Sequence, residues 1–168
     1  MIQLIVTFFQ HYFTAPLIIF ILSLFPLLEL RGGLIAASLH GVPWQQAAVL
    51  TVIANMIPIP FIILLVERVL DHCALKGPFQ FLAKKMIKKG RAQGTALLKK
   101  YPHSVRLGLF LFVAIPLPGT GAWTGAMIAA FLGLPPKKAL LPIAFGVISA
   151  CFIMLGLAYA LPTVFGLK

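Results

Sequence analysis

Four apolar stretches dominate the chain, and they are of two kinds. Residues 45–67 and 138–162 are apolar with little interruption. Each is long enough to cross a bilayer, which takes about 20 residues at a rise of about 1.5 Å each. Residues 17–40 and 107–133 are instead broken near their middles, around Pro26 to Gly33 and Pro116 to Gly121. Their arms are about half a span long, so each reaches roughly the midplane. Residues 1–14 either lie at the interface or merge with the first interrupted stretch into an ordinary first span.

Composition fixes the class. Hydrophobic residues make up 61% of the 168 and charged residues 10%, against about 45–50% and about 25% in soluble domains. Mean hydropathy is +1.03. The chain reads as one integral membrane domain over residues 1–168. Its first residues, MIQLIVTFFQHYFTA, lack a basic n-region and a clear small-residue cleavage site, so no cleavable signal peptide is expected. Cys73 and Cys151 are unclustered, which fits packing better than a disulfide framework or a metal knuckle.

The formal net charge of +11 is concentrated between the apolar halves, at Lys76, Lys84, Lys85, Lys88, Lys89, Arg91, Lys99, Lys100 and Arg106. Positive loops stay in the cytoplasm, which places this connector inside and the protein in the cell (inner) membrane. The anionic leaflet is an adequate partner for the charge, so no nucleic acid is invoked. Phe79, Leu82, Met86, Leu97, Leu98 and Tyr101 recur at nearly helical spacing, as in an amphipathic helix lying in the headgroups. A solvated basic linker is the alternative.

The halves resemble each other. GLIAASLHGVPWQQA (33–47) aligns with GAMIAAFLGLPPKKA (125–139) at an offset of 92, which pairs Gly33 with Gly125, Gly41 with Gly133 and Pro43 with Pro135. Upstream, the same offset pairs Pro26 with Pro118, Phe20 with Phe112 and Leu17 with Leu109. Charge then chooses between hairpins and broken spanning helices. Arg106 opens the second interrupted stretch and Lys137 with Lys138 closes it. A hairpin keeps all three on the cytoplasmic side, whereas a span would put the lysines outside, against the positive-inside bias. The matching turn of the first half, HGVPWQQ, carries no fixed charge, as suits an external turn. The expected fold is therefore all-α: two inverted repeats (about 17–68 and 106–165), each a re-entrant helical hairpin plus a transmembrane helix, joined by a basic amphipathic connector (about 69–105). Inverted repeats with broken helices are a recurrent secondary-transporter plan.

The hairpin tips hold the candidate chemistry. The chain has three acidic residues, Glu29, Glu67 and Asp71, and Glu29 falls at the first tip in LELRGG. A charge at membrane depth costs at least ~2.5–3.5 kcal/mol. Either it serves a site, or the hairpin is shallow and Glu29 and Arg31 snorkel. Arg31 has the bidentate fork that suits phosphate or carboxylate, with Gly32 and Gly33 as open backbone. The second tip, PLPGTG, offers Pro118, Gly119, Thr120 and Gly121 as a backbone nest, with the Thr120 hydroxyl as a further donor. Glu29 could bind H⁺ or Na⁺ and couple it to transport, or simply pair with Arg31. Asn55, before Pro58 and Pro60, marks either a cation route along freed carbonyls or a plain kink. Trp44 reads as an interfacial anchor; Trp123 either closes the site or packs. His11, His40, His72 and His103 are scattered, without HExxH or triad partners, and no enzyme, cofactor or metal-ligand set is read.

At LELRGG and FVAIPLPGTGAWTG the sequence resembles the bacterial and archaeal family of small multidrug export proteins, over about residues 17–165. That family is similar in plan to the DedA (VTT-domain) superfamily, with two facing re-entrant hairpins. The resemblance implies ion-driven movement of polyprenyl phosphate or other lipid headgroups, with Glu29 as the embedded acid and Pro118–Gly119 as a hairpin turn. DedA hairpins usually carry arginines beside that turn; Ile115, Thr120 and Gly121 stand there in this chain. The expected function is H⁺- or Na⁺-coupled secondary transport of a small anionic or anionic-headed substrate. Export of lipophilic cations, an uncoupled lipid scramblase or membrane-structural role, and a partner-binding subunit are the alternatives. A chain this small could form a homodimer to seal its hairpins from lipid.

Overall fold

Proline and glycine set where the helices begin and end. The computed structural model describes residues 14–75, 80–101, 104–117 and 119–160, all of whose regular structure is helical. Expectations for residues 1–13, Phe79, His103 and Pro118, and for the side chains of Cys73, Leu82 and Met86, lie outside the described residues. Helix α1 (Ala15–Leu24) has Pro16 in its first turn, where a missing N–H costs nothing. Helices α2 (Glu29–Leu39), α3 (Trp44–Met56) and α4 (Ile59–Leu75) come next. Helix α5 (Gln80–Lys100) precedes α6 (Val105–Ala114), α7 (Ala122–Phe131) and α8 (Pro136–Leu155), and a π-helical turn covers Gly156–Ala160.

The chain divides into two compact units. The first comprises Met1–Asn55 and Cys151–Lys168. In it α1 packs on α2, and the π-helical turn is tied to the α2–α3 corner. Ser38 Oγ donates to the Ala158 carbonyl at 2.6 Å, and the Tyr159 hydroxyl donates to the Val42 carbonyl at 2.9 Å. The second unit, Met56–Ala150, packs α4 and α5 against α7, and α6 against both α5 and α7.

In the second unit, α5 resolves the question of the connector. It is a helix of 21 residues, not a linker. Gly90 meets the Phe131 ring, Gly94 meets Leu132, and Leu97 is buried beside Gly108. The small and apolar stripe at 90, 94 and 97 is therefore used inside the protein. Lys84, Lys85, Lys88, Lys89, Arg91, Lys99 and Lys100 are exposed, as are Phe81 and Leu98.

Both halves turn the same corner. Gly41 and Gly133, 92 residues apart, have φ of +67° and +64°. Val42 N–H donates to the Ala37 carbonyl and Leu134 N–H to the Ala129 carbonyl, each at 3.0 Å. These are the left-handed residue and the long-range closing bond of a glycine helix stop. Burial follows the same offset: Leu34 with Ala126, Ala37 with Ala129, and Ala47 with Ala139 are all at 0% exposure. Upstream the register differs from the expected 92. Leu17 is 40% exposed, whereas Leu109 is at 0%. The matching buried pairs are Ile19 with Leu109 and Ser23 with Val113, an offset of 90. The second tip is two residues longer, which the ungapped alignment could not accommodate.

The first break is also shorter than expected. It covers Phe25–Leu28, and Arg31, Gly32 and Gly33 lie within α2. Two glycines there signal close packing, not opened backbone. The second break, Ile115 to Gly121, falls where the prolines placed it.

Two stretches are long and apolar enough to cross a membrane. Trp44–Val66 has 23 residues and mean hydropathy 2.5; Pro136–Ala160 has 25 and 2.4. Only 33% of each apolar window is buried by the protein itself. Val49, Ile53, Phe61, Leu141, Phe145 and Phe152 are more than half exposed. Soluble proteins rarely expose apolar surface this continuously, and lipid would cover it. Arg106 and Lys138, which bracket the second interrupted stretch, line a common hollow with Ser104.

Candidate functional site

The first unit contains a line of buried polar residues. α2 and α3 meet where Gly33 faces Thr51. A Cβ at Gly33 would lie 2.9 Å from Thr51 Cγ2, 3.2 Å from the Ile19 carbonyl oxygen, and in collision with Ser23 Oγ. Ser23 and Thr51 are both at 0% exposure. Ser23 Oγ donates to the Ile19 carbonyl at 2.8 Å, and Thr51 Oγ1 to the Ala48 carbonyl at 3.2 Å. Cys151, also buried, lies beside Thr51. Gly33 is therefore a packing residue, where the helices approach too closely for a Cβ.

Because the chain reverses at Gly41–Val42, one turn back from Gly33 and one turn on from Thr51 lead the same way. The residues reached are Glu29 and Asn55. Glu29 is 5% exposed and Asn55 is at 0%. Neither the amide oxygen nor the amide nitrogen of Asn55 has a hydrogen-bond partner among the described residues. Burying such a group unpaired costs about 1–3 kcal/mol by mutational measures and more by transfer scales. Pro58 has no N–H, so the Ala54 carbonyl loses its usual partner four residues on.

Glu29 is unusual in its backbone as well. Its φ is +49°, in the left-handed region, which costs a residue with a side chain roughly 1–2 kcal/mol. At the offset of 92 the second half has Gly121, with φ of +144°. Glutamate thus stands, buried, where the other half uses glycine. Arg31, two residues on, is half-buried and feels the Glu29 charge. The pairing of the two is electrostatic, and the carboxylate starts helix α2, where the helix dipole favours it.

The second tip is built differently. Gly119 is exposed with φ of +82°. The Thr120 hydroxyl lies 2.8 Å from both the Ile115 and Leu117 carbonyls and accepts from Leu117 N–H at 3.1 Å. Its hydrogen closes its own turn. Beside it is a cavity of about 160 Å³, walled mostly by Leu97, Leu111, Phe112, Ile115 and Leu117, with Lys100 at its edge. Trp123 is half-buried in the first turn of α7, and Trp44 is exposed at the start of α3.

Glu29 and Asn55 are thus both buried and lie one turn beyond the Gly33–Thr51 contact, each on its own helix, and Ser23 and Thr51 at that contact are polar residues that sequence reasoning passed over. The signal was present. Thr51 and Asn55 are four apart in an apolar stretch, and their counterparts at an offset of 92 are Ile143 and Val147. Among the described residues no cluster of His, Cys, Asp and Glu could hold a metal ion.

Residues 29–153 match the model of the family described as "Putative small multi-drug export protein". No curated protein and no solved structure matches the chain significantly.

Proposed function

Since the chain belongs to that family of small multi-drug export proteins, a family of membrane transport, we propose that it is an ion-coupled secondary transporter in which Glu29 carries the coupling ion, H⁺ or Na⁺. The observation that carries this reading is Glu29 itself, an acid 5% exposed and in left-handed backbone. Strain and burial at one residue mark functional positions. The fold is read as two inverted repeats with re-entrant hairpins and a cytoplasmic basic connector in the cell membrane. The shared Gly41 and Gly133 corners and the meeting of Arg106 with Lys138 support it.

The cargo is an anion or an amphiphile with an anionic head. Arg31 is the fork for it. A phosphate-headed lipid is one such amphiphile. A second reading, export of lipophilic cations against Glu29, is favoured by the family description. Arg31 disfavours it, because a guanidinium two residues from Glu29 would repel a cationic cargo.

Reconstituted liposomes test both. Uptake of a fluorescent anionic amphiphile, and separately of a lipophilic cation, is followed with and without an imposed pH or Na⁺ gradient. Gradient-driven accumulation of the anion is expected. Accumulation of the cation alone would replace the first reading with the second, and equal movement without any gradient would leave an uncoupled scramblase.

A further inference from the structure

The halves share a buried pattern, yet they differ in chemistry at four positions of it. The first half has Ser23, Glu29, Thr51 and Asn55; the second has Val113, Gly121, Ile143 and Val147 in the matching places. Val113, Ile143 and Val147 are as buried as Ser23, Thr51 and Asn55. Apolar side chains therefore fit this seam. The polar ones in the first half are not needed to fill it, and both amide atoms of Asn55 are without partners among the described residues. A buried amide in that state calls for a ligand.

The oxygen atoms available define which ligand. Glu29 supplies a carboxylate. Asn55 Oδ1 is free to accept, and the Ala54 carbonyl beside it lacks its helical donor because of Pro58. Thr51 Oγ1, one turn back, gives its hydrogen to Ala48 and keeps lone pairs. One carboxylate with neutral oxygens suits a hard cation. Backbone carbonyls released at a helix break coordinate Na⁺ in other transporter plans. The walls are close, since no Cβ fits at Gly33 one turn away, which favours a small ion stripped of its water.

We propose that Glu29, Thr51 and Asn55 form a Na⁺ site, selective over K⁺, that exists in the first repeat alone, so that each chain carries one such ion. This deepens the reading of Glu29 as the coupling acid and rests on it for its role in transport, although binding itself can be measured without transport.

The test uses the full-length protein purified in detergent, with choline replacing Na⁺ at constant ionic strength. Binding of radioactive Na⁺ and the thermal midpoint are read together. The unaltered protein should bind Na⁺ saturably, about one per chain, and its midpoint should rise with Na⁺ but not with K⁺. Asn55→Val copies the second repeat. It should weaken Na⁺ binding by at least about tenfold and abolish the Na⁺-dependent rise, while its midpoint in choline is unchanged or higher. Thr51→Val should weaken binding with the same intact fold. Absence of saturable binding, an equal response to K⁺, or an undiminished affinity in Asn55→Val would each overturn the site. The two readings fail separately. Transport driven by a pH gradient without any Na⁺ binding removes the site and leaves the transporter. Saturable Na⁺ binding without gradient-driven transport leaves the site and removes the transporter.

Discussion

Thr51 stands where a side chain on Gly33 would have to go. The two helices that carry them touch there, with Ser23 closing the third side. Gly33→Ala should therefore force α2 away from α1 and α3, at a cost of about 1–3 kcal/mol for an overpacked core. The thermal midpoint in detergent should fall. Gly156→Ala is the control, because a Cβ there meets nothing within 4 Å. Equal midpoints for the two variants would mean that the seam is loose.

Topology gives the second prediction. Lys138 is exposed at the start of α8 and Lys84 is exposed on α5. In a background free of Cys73 and Cys151, single cysteines at these two positions should react with an impermeant maleimide from the same, cytoplasmic face. Labelling from opposite faces would make the second interrupted stretch a span, and the inverted-repeat reading would go with it.

Helix breaks and corners were legible in the sequence because proline and glycine act locally. Pro116 and Gly121 bracketed the second tip, and the Gly41 and Gly133 corners lay in one register. Packing glycines were misread for the same reason. Gly32 and Gly33 look like opened backbone next to Arg31, and only a tertiary neighbour, Thr51, shows that Gly33 is a contact point. Thr120 looked like a donor for a ligand, but its hydroxyl is used within its own turn. The left-handed backbone of Glu29 has no sequence signature at all, since glutamate is not a residue that favours it.

Arg31 is half-buried two residues from Glu29. If it receives an anionic head, the planar fork matters as well as the charge. Arg31→Lys should then weaken uptake of the anionic amphiphile about tenfold, and Arg31→Ala more, with gradient-free stability of the two variants compared on the same preparation. Normal uptake by both would take Arg31 out of the binding site.

Glu29 combines a carboxylate with strained backbone, and three substitutions separate the two contributions. Glu29→Ala removes the carboxylate and keeps a Cβ in the left-handed region. Glu29→Gly removes both, as Gly121 does in the other half. Each leaves Arg31 without the same neighbouring charge, so that loss cancels in the comparison. The glycine variant should be the more stable by about 1 kcal/mol, the cost of left-handed backbone for a residue with a side chain. Glu29→Gln keeps the shape and the strain but fixes a neutral group. If Glu29 carries the coupling ion, this variant should insert, bind the amphiphile and catalyse exchange, yet lose accumulation driven by a gradient, because exchange needs no net ion movement. If Glu29 only neutralises Arg31, the result differs in kind. The glutamine variant would then leave a partly buried arginine without its counter-charge, which costs up to several kcal/mol, and would melt early while the surviving fraction still accumulated cargo normally. Thermal midpoint, amphiphile binding and gradient-driven uptake, measured on one preparation of each variant, decide between a carrier of the ion and a structural partner.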